Sequence, residues 1–355
     1  MMDTAQAGEE CEELTATVVA SAPSPEHPIH VRMLESDRDV QCLKDEQNKL
    51  ALASNAEQPV FIQTGAFIQS LEFTSANNVV VTGYIWQKYP ANVPDYVERG
   101  FILPEGDEQI YYLEGDASYR KEQSGELLLG WYIHTSLRQT FDYGKYPFDR
   151  QDIWLRFWHL NFDRNVILTP DFESYKITEW PRRETTFLGL ERDFVLERLS
   201  LERTYFNYHY NNYNTDFGIA NYQGLSAFPE LYFNVGVRRV VLDAVVAYLI
   251  PMFILLLMSF GVQFIVTQIP DKMSMHGILA HLDIRRTLNA SGVVYIEYFY
   301  FILYVILLLQ TINSIIFAAT NHVGFLEYKD NLIPKVVFFP VTLGLMFAIT
   351  AGLFY

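Results

Sequence analysis

The fold is decided by residues 238–267, which read RRVVLDAVVAYLIPMFILLLMSFGVQFIVT. A helix needs about 20 mostly apolar residues to cross the hydrocarbon core of a bilayer, and the run after the two arginines is longer than that. Two similar runs follow at residues 292–319 and 332–355. The single charged residues of the three runs are Asp243, Glu297 and Lys335. The runs predict a membrane protein whose hydrophilic domain precedes its spans.

The hydrophilic part is acidic. The chain carries a net charge of −16 at pH 7, which argues against nucleic acid as a partner. Residues 1–58 contain no aromatic residue and predict an accessory or disordered segment, with a short amphipathic helix within residues 31–52. Residues 1–15 are acidic where a signal peptide would be basic, so no secretory signal is expected there. Cys11 and Cys42 are expected to be free thiols, because two cysteines cannot form a disulfide framework for the main domain.

Residues 59–239 have the pattern of many short strands. Runs rich in β-branched and aromatic residues recur about every ten residues between turn clusters. The clearest runs are LLLGWYIHTSL at residues 127–137 and IWLRFWHL at residues 153–160, and Asn77-Asn78 marks a hairpin. This spacing predicts an all-β sandwich, whose last strand runs directly into the first apolar helix.

A loop motif gives the sandwich a more specific interpretation. Residues 142–151 read DYGKYPFDRQ, in which a proline stiffens an apolar tip that ends in a carboxylate. Arg239 follows, and Pro251 lies twelve residues later within the first apolar run. In this order, with the hairpin ahead of them, the motifs resemble those of the pentameric ligand-gated ion channels, the Cys-loop receptor family. The resemblance covers residues 59–355.

The resemblance implies an all-β extracellular or periplasmic sandwich over residues 59–239, followed by an α-helical transmembrane domain over residues 240–355. It also implies a homopentamer in the cell membrane that contacts lipid, conducts inorganic ions and binds a small molecule between subunits. The residues it assigns to coupling between the domains are Tyr146, Pro147, Phe148, Asp149, Arg239, Arg285 and Arg286. An ion pair between Asp149 and Arg239 is expected, and the alternative is an arginine that only reaches lipid headgroups.

The chain departs from the family pattern in two places. Gln139 and Ile153 stand where the family has its loop cysteines. Prokaryotic members of the family also lack these cysteines. Residues 268–291 are too few for a spanning helix of about 20 residues with loops on both sides. Three clear spans are therefore expected, with the pore-lining second family helix truncated. His281, in the truncated segment, is a candidate pore residue that senses protons or packs between helices.

The candidate ligand site is aromatic. Residues 205–222 are rich in tyrosine and match, by position, the hairpin that caps the family's ligand site. Aromatic walls hold cations or small amphipathic ligands, whereas ordinary strand packing is the alternative interpretation. The expected ligand-contacting residues are Tyr208, Tyr210, Tyr213 and Tyr222, with Trp86, Tyr175 and Trp180 as further candidates.

Other classes of function receive little support from the sequence. Gly-x-Ser-x-Gly, His-Glu-x-x-His and phosphate-binding glycine loops are absent, so no enzyme activity, metal site or cofactor is expected. The short pore segment favours a second hypothesis, a non-conducting membrane receptor or regulatory subunit with the same sandwich. The family topology places Arg285 and Arg286 on the outer side of the membrane, near the loop of residues 142–151, whereas three spans alone would place them in the cytoplasm.

Overall fold

A computed structural model gives the structure of the chain. It describes residues 30–55, 57–123, 125–175, 187–191, 199–211, 213–219, 228–262, 294–319 and 332–354. The chain divides into two compact units. The first comprises residues 1–140, 152–197 and 201–237, and the second comprises residues 141–151, 198–200 and 238–355.

The first unit is built from two β-sheets. The strands in the described residues are β1 (His30–Leu34), β2 (Val60–Phe73), β3 (Asn78–Pro90), β4 (Gly100–Ile102), β5 (Tyr111–Leu113), β6 (Tyr119–Gln123), β7 (Glu126–Arg138), β8 (Arg150–His159), β9 (Val166–Pro170), β10 (Leu199–Asn211) and β11 (Phe228–Arg239). One sheet has the order β1-β10-β11-β8-β4-β5 and the other β6-β7-β3-β2-β9. Every second residue of β3 and β8 is buried, which is typical of strands with one face toward a core.

The two sheets pack face to face through aromatic rings. Phe101 of β4 stacks on Tyr112 of β5, in its own sheet, at 4.7 Å between ring centroids. It meets Trp131 of β7, in the other sheet, edge-on at 5.3 Å. The Tyr89 hydroxyl of β3 accepts a 2.7 Å hydrogen bond from the amide of Gly100. The prediction of β-sandwich-like sheets is confirmed, as is the hairpin at Asn77-Asn78, which joins β2 to β3.

The N-terminal segment adds a strand and a helix to the first unit. Helix α1 (Asp37–Ser54) lies where a short helix was expected, and a capping box between Ser36 and Asp39 begins it. Strand β1, which the sequence did not predict, pairs antiparallel with β10. Arg32 of β1 forms a 2.7 Å ion pair with Glu46 of α1, so the two elements hold each other.

One cysteine differs from expectation. Cys42 is buried on α1 and is disulfide-bonded, so the prediction that it is a free thiol is wrong. Two cysteines are too few for a disulfide framework of the main domain, but they are enough for one disulfide. The other cysteine of the sequence, Cys11, lies outside the described residues.

The second unit is helical. Its described helical elements are α2 (Val241–Ala244), a π-helical turn (Val245–Leu249), α3 (Ile250–Val262), α4 (Tyr295–Ala319) and α5 (Leu332–Phe354). The wide π-turn ends two residues before Pro251, which has no amide hydrogen to donate to the preceding turn.

Two described helices are long and apolar enough to cross a membrane, over residues 295–312 and 336–354. The third predicted span, residues 240–267, is not shown. Its apolar helix is shorter, at residues 250–261, because the π-turn interrupts the helix, and residues 263–267 lie outside the described part.

Polar contacts between side chains join the helices of the second unit at two positions along α4. Ser259 of α3 donates to the Gln310 side chain of α4 at 2.6 Å, and the hydroxyls of Tyr295 and Thr350 lie 2.7 Å apart between α4 and α5. Other apolar side chains point outward, among them Phe301 at 66% exposed and Phe347 at 74% exposed. Large exposed apolar surfaces of this kind are typical of protein–protein or lipid contact.

Candidate functional site

The first candidate site is a bidentate ion pair in the second unit. Asp149 ends the loop between β7 and β8, and Arg239 is the last residue of β11. The Arg239 guanidinium donates from Nε to Oδ1 of Asp149 at 2.8 Å and from Nη2 to Oδ2 at 3.1 Å. The Asp149 side chain is 1% exposed and that of Arg239 is 19% exposed. The residues that the resemblance pairs are therefore in direct contact, in the geometry that binds a carboxylate most strongly.

The surroundings of the pair favour the charged form of Arg239. Gln151 Nε2 donates to Oδ2 of Asp149 at 2.9 Å, and the Arg239 guanidinium lies over the Tyr146 ring at 4.6 Å. Burial alone would lower the pKa of Arg239, but the hydrogen bond and charge of Asp149 outweigh it, and the net shift is upward. An arginine does not lose its proton near neutral pH, so Arg239 remains a cation beside Asp149.

The aromatic tip of the same loop packs on the helices of the second unit. Tyr146, which precedes Pro147 through a cis peptide bond, meets Tyr248 of the π-turn at 5.9 Å between ring centroids. Phe148 meets both Tyr295 of α4 and Phe354 of α5 at 6.1 Å. The loop therefore touches the beginning of α4, the end of α5 and the turn before α3.

The second candidate site is an aromatic cluster in the first unit. We call Trp158, Phe162, Tyr213 and Phe217 the Trp158 cluster. Trp158 lies 5.4 Å from Phe162 and 5.5 Å from Tyr213, and Phe217 lies 5.4 Å from both Phe162 and Tyr213. Tyr213 and Phe217 are 40% and 38% exposed, so one side of the cluster is open to solvent.

A charged group adjoins the Trp158 cluster. We call Arg156, Glu105 and Glu230 the Arg156 triad, in which the Arg156 guanidinium is bonded to Glu105 and lies 3.5 Å from Glu230. The guanidinium carbon also lies 5.2 Å from the Trp158 ring centroid, and Tyr213 donates its hydroxyl to Glu230. Burial raises the pKa of Glu105, against the opposing charge and hydrogen bond of Arg156.

Sequence reasoning found one member of the cluster, Tyr213, and missed three. Alternation along residues 153–160 places Arg156 and Trp158 together on the face opposite the core residues Leu155 and Phe157. That alternation was the available signal. It does not reveal which loop covers the face, and the covering residues come from a segment more than fifty positions later in the chain.

The other predicted ligand residues lie elsewhere. Trp86 and Tyr175 pack together at 5.4 Å, and Trp86 donates to the buried Asp171 at 2.8 Å. Tyr208 is fully buried and its hydroxyl donates to the Leu168 carbonyl at 2.5 Å, so it belongs to the core rather than to an exposed wall. Tyr210 is half-buried on β10 and pairs in register with His30.

Five predicted site residues fall outside the described part of the chain. They are Trp180, Tyr222, His281, Arg285 and Arg286. Their assignments to the ligand site, the pore and the coupling region remain predictions.

Both sites are carried by the same two strands. Strand β8 begins directly after Asp149 and contains Arg156 and Trp158, whereas β11 contains Glu230 and ends at Arg239. The strands are neighbours in their sheet. No protein-family model matches the chain, and no curated protein matches it significantly. The functional interpretation therefore depends on these contacts and on the sequence motifs.

Proposed function

We propose that the chain is a subunit of a pentameric ligand-gated ion channel. The observation that carries the proposal is the bidentate pair between Arg239 and Asp149, which lies where β11 ends and the apolar helices begin. Because the loop of Asp149 also packs on α4 and α5, a displacement of the loop acts directly on those helices.

In this proposal, residues 240–267, α4 and α5 cross the cell membrane, and residues 268–291 supply a short pore-lining segment for inorganic ions. The sandwich faces the outside or the periplasm. Two helices of sufficient length and their outward apolar side chains support the placement of the C-terminal part in a membrane. Lipid contacts the exposed faces of α4 and α5.

A small molecule binds at the Trp158 cluster, at an interface between subunits, and changes the tilt of the helices. Strands β8 and β11 connect the cluster covalently to the two members of the ion pair. A ligand can only shift this equilibrium if it binds one conformation of the whole assembly more tightly than the other.

The second candidate is a non-conducting membrane receptor or regulatory subunit. Residues 268–291 favour it, because 24 residues leave little wall for a pore once their charged residues lie in water. Its sandwich and its ion pair would act as in the channel, but the signal would pass to another protein.

Electrophysiology distinguishes the two candidates. The unmodified chain is compared with a chimera in which a full-length second helix replaces residues 268–291, both reconstituted in lipid bilayers. We expect weak or no current from the unmodified chain and robust current from the chimera. Robust current from the unmodified chain would mean that the short helix suffices, and silence of both would reject the channel and leave the receptor.

A further inference from the structure

A cation that belongs to the chain, Arg156, already lies against the Trp158 cluster. Aromatic cages hold organic cations by placing the positive charge over a ring face. Here the Arg156 guanidinium lies over the Trp158 ring at 5.2 Å and is held there by Glu105 and Glu230. A ligand cation would have to displace a side chain that is held by two carboxylates.

Glu230 already accepts hydrogen bonds from the chain on both of its carboxylate oxygens. Its Oε1 accepts from the Tyr213 hydroxyl, and its Oε2 accepts from Asn211 Nδ2 at 2.5 Å. Arg156 and the Tyr232 hydroxyl lie at 3.5 Å from the same Oε2. Donors of the chain therefore already engage both oxygens of Glu230, and an incoming ammonium group would have to compete with them.

Two hydrogen-bond donors at this site have no acceptor among the described residues. Arg156 Nε and Trp158 Nε1 are both buried, and neither has a hydrogen-bond partner in the described part of the chain. They lie two residues apart on one face of β8. Buried donors without an acceptor are destabilising, and a bound acceptor relieves that penalty.

We propose that the Trp158 cluster binds a small carboxylate, which accepts hydrogen bonds from Arg156 Nε and Trp158 Nε1, and that Arg156 excludes organic cations by filling the cation position. The rings of Phe162 and Phe217 cover the apolar part of the ligand. Tyr213 and Phe217, the exposed members of the cluster, form its solvent-facing side. This ligand class rests on the ligand-binding role proposed above for the cluster.

The charge of the triad bears on the proposal. Arg156 is opposed by two carboxylates, so the fully ionised triad carries one net negative charge. Burial raises the pKa of Glu105, and the charged or titratable groups that face it are Arg156 on β8 and Glu230 and Tyr232 on β11. Uptake of a proton by Glu105 neutralises the triad, and carboxylate binding is therefore favoured toward acidic pH.

The test compares two probes of similar size and opposite charge. Benzoate and benzylammonium are titrated calorimetrically against the purified full-length chain in detergent at fixed ionic strength. We expect benzoate to bind at least about tenfold more tightly, the effect of one hydrogen bond to a charged group. Equal or tighter binding of benzylammonium would overturn the proposal, as would failure of benzoate to bind.

Two tryptophan variants test the assigned donor. Trp158→Phe keeps an aromatic ring but removes the indole N–H, and we expect it to weaken benzoate binding about tenfold or more. Trp154→Phe is the matched control, because Trp154 lies on the same face of β8 but packs on Tyr232 at 5.5 Å, and we expect unchanged binding. Unchanged binding by Trp158→Phe would refute the indole as a donor and overturn the proposal.

Binding by the purified chain does not require a conducting pore. If the chain and the chimera were both silent but the chain bound benzoate through Trp158, the channel would be rejected and the ligand assignment kept. A conducting pentamer that fails to bind benzoate would keep the channel and reject the carboxylate. The two proposals therefore fail separately.

Discussion

At the scale of single residues, Arg239 and Asp149 carry the most weight, because the carboxylate is almost completely buried. Arg239→Ala leaves that carboxylate without its cation. Breaking one partner of a buried ion pair costs about 3–5 kcal/mol. We therefore expect the free energy of unfolding of the full-length chain in detergent to fall by about that amount, and any ligand-evoked response to be lost.

The neighbouring arginine provides the control for this prediction. Arg238 carries the same charge and immediately precedes Arg239 in the chain, but its side chain is exposed. Arg238→Ala is expected to change stability by about 0.5 kcal/mol or less, as surface substitutions usually do. Equal effects of the two substitutions in denaturant titrations would mean that Arg239 only anchors the chain to lipid headgroups.

His159 gives the sandwich a pH dependence. Its ring is buried, its Nδ1 accepts from the Asn161 amide at 3.0 Å, and burial lowers its pKa from 6.5 to about 4. A lowered pKa means that the unfolded chain binds a proton that the folded chain does not, so stability is lost as the pH falls from about 6.5 to about 4. The full effect is about 3 kcal/mol.

The measurement is the unfolding free energy as a function of pH. In His159→Asn, which keeps an acceptor near the position of Nδ1, we expect a flatter profile between pH 6.5 and pH 4 than in the unaltered chain. His134→Asn, at an exposed position of β7, controls for the exchange of a histidine for asparagine. If His159→Asn kept the slope of the unaltered chain, His159 would not be the group that titrates.

At the scale of elements, Gly65 fixes how β2 and β3 pack. Gly65 lies opposite Trp86 in the register of the two strands, and a Cβ at Gly65 would overlap the indole ring. Gly65→Ala should therefore displace Trp86 from the buried Asp171, at a cost of about 1–3 kcal/mol. Thermal unfolding of the variant and of the unaltered chain measures the loss of stability.

Gly115 is the matched position for that substitution. A Cβ there meets no atom within 4 Å, so Gly115→Ala should be neutral or stabilising by up to about 1 kcal/mol. A Gly65→Ala variant as stable as Gly115→Ala would contradict the tight packing of Trp86.

Local patterns predicted the elements well, and for physical reasons. The β2–β3 hairpin and strands β7 and β8 followed from β-branched and aromatic runs between turns, and α4 and α5 followed from uninterrupted apolar length. Strand β1 was missed because five residues outside the main β-rich region give almost no periodic signal. The π-turn before Pro251 was missed because a proline within an apolar run does not specify how the helix adapts.

At the scale of the whole molecule, the sites were predicted less completely than the elements. The partnership of Asp149 and Arg239 came from the resemblance, because no periodicity relates residues ninety positions apart. The Trp158 cluster joins β8 to residues 213–217, which is again a long-range contact that local pattern cannot supply. Buried donors such as Arg156 Nε become visible only once every neighbour is placed.

Assembly is the central claim at this scale. A channel needs several subunits around one pore, and a single chain offers only three described apolar helical segments. The most direct test is the number of subunits in the full-length chain, extracted in mild detergent and measured by native mass spectrometry and cryo-EM class averages. We predict a mass of five subunits and averages with fivefold symmetry, whereas a monomer in both measurements would contradict the assignment to a pentameric channel.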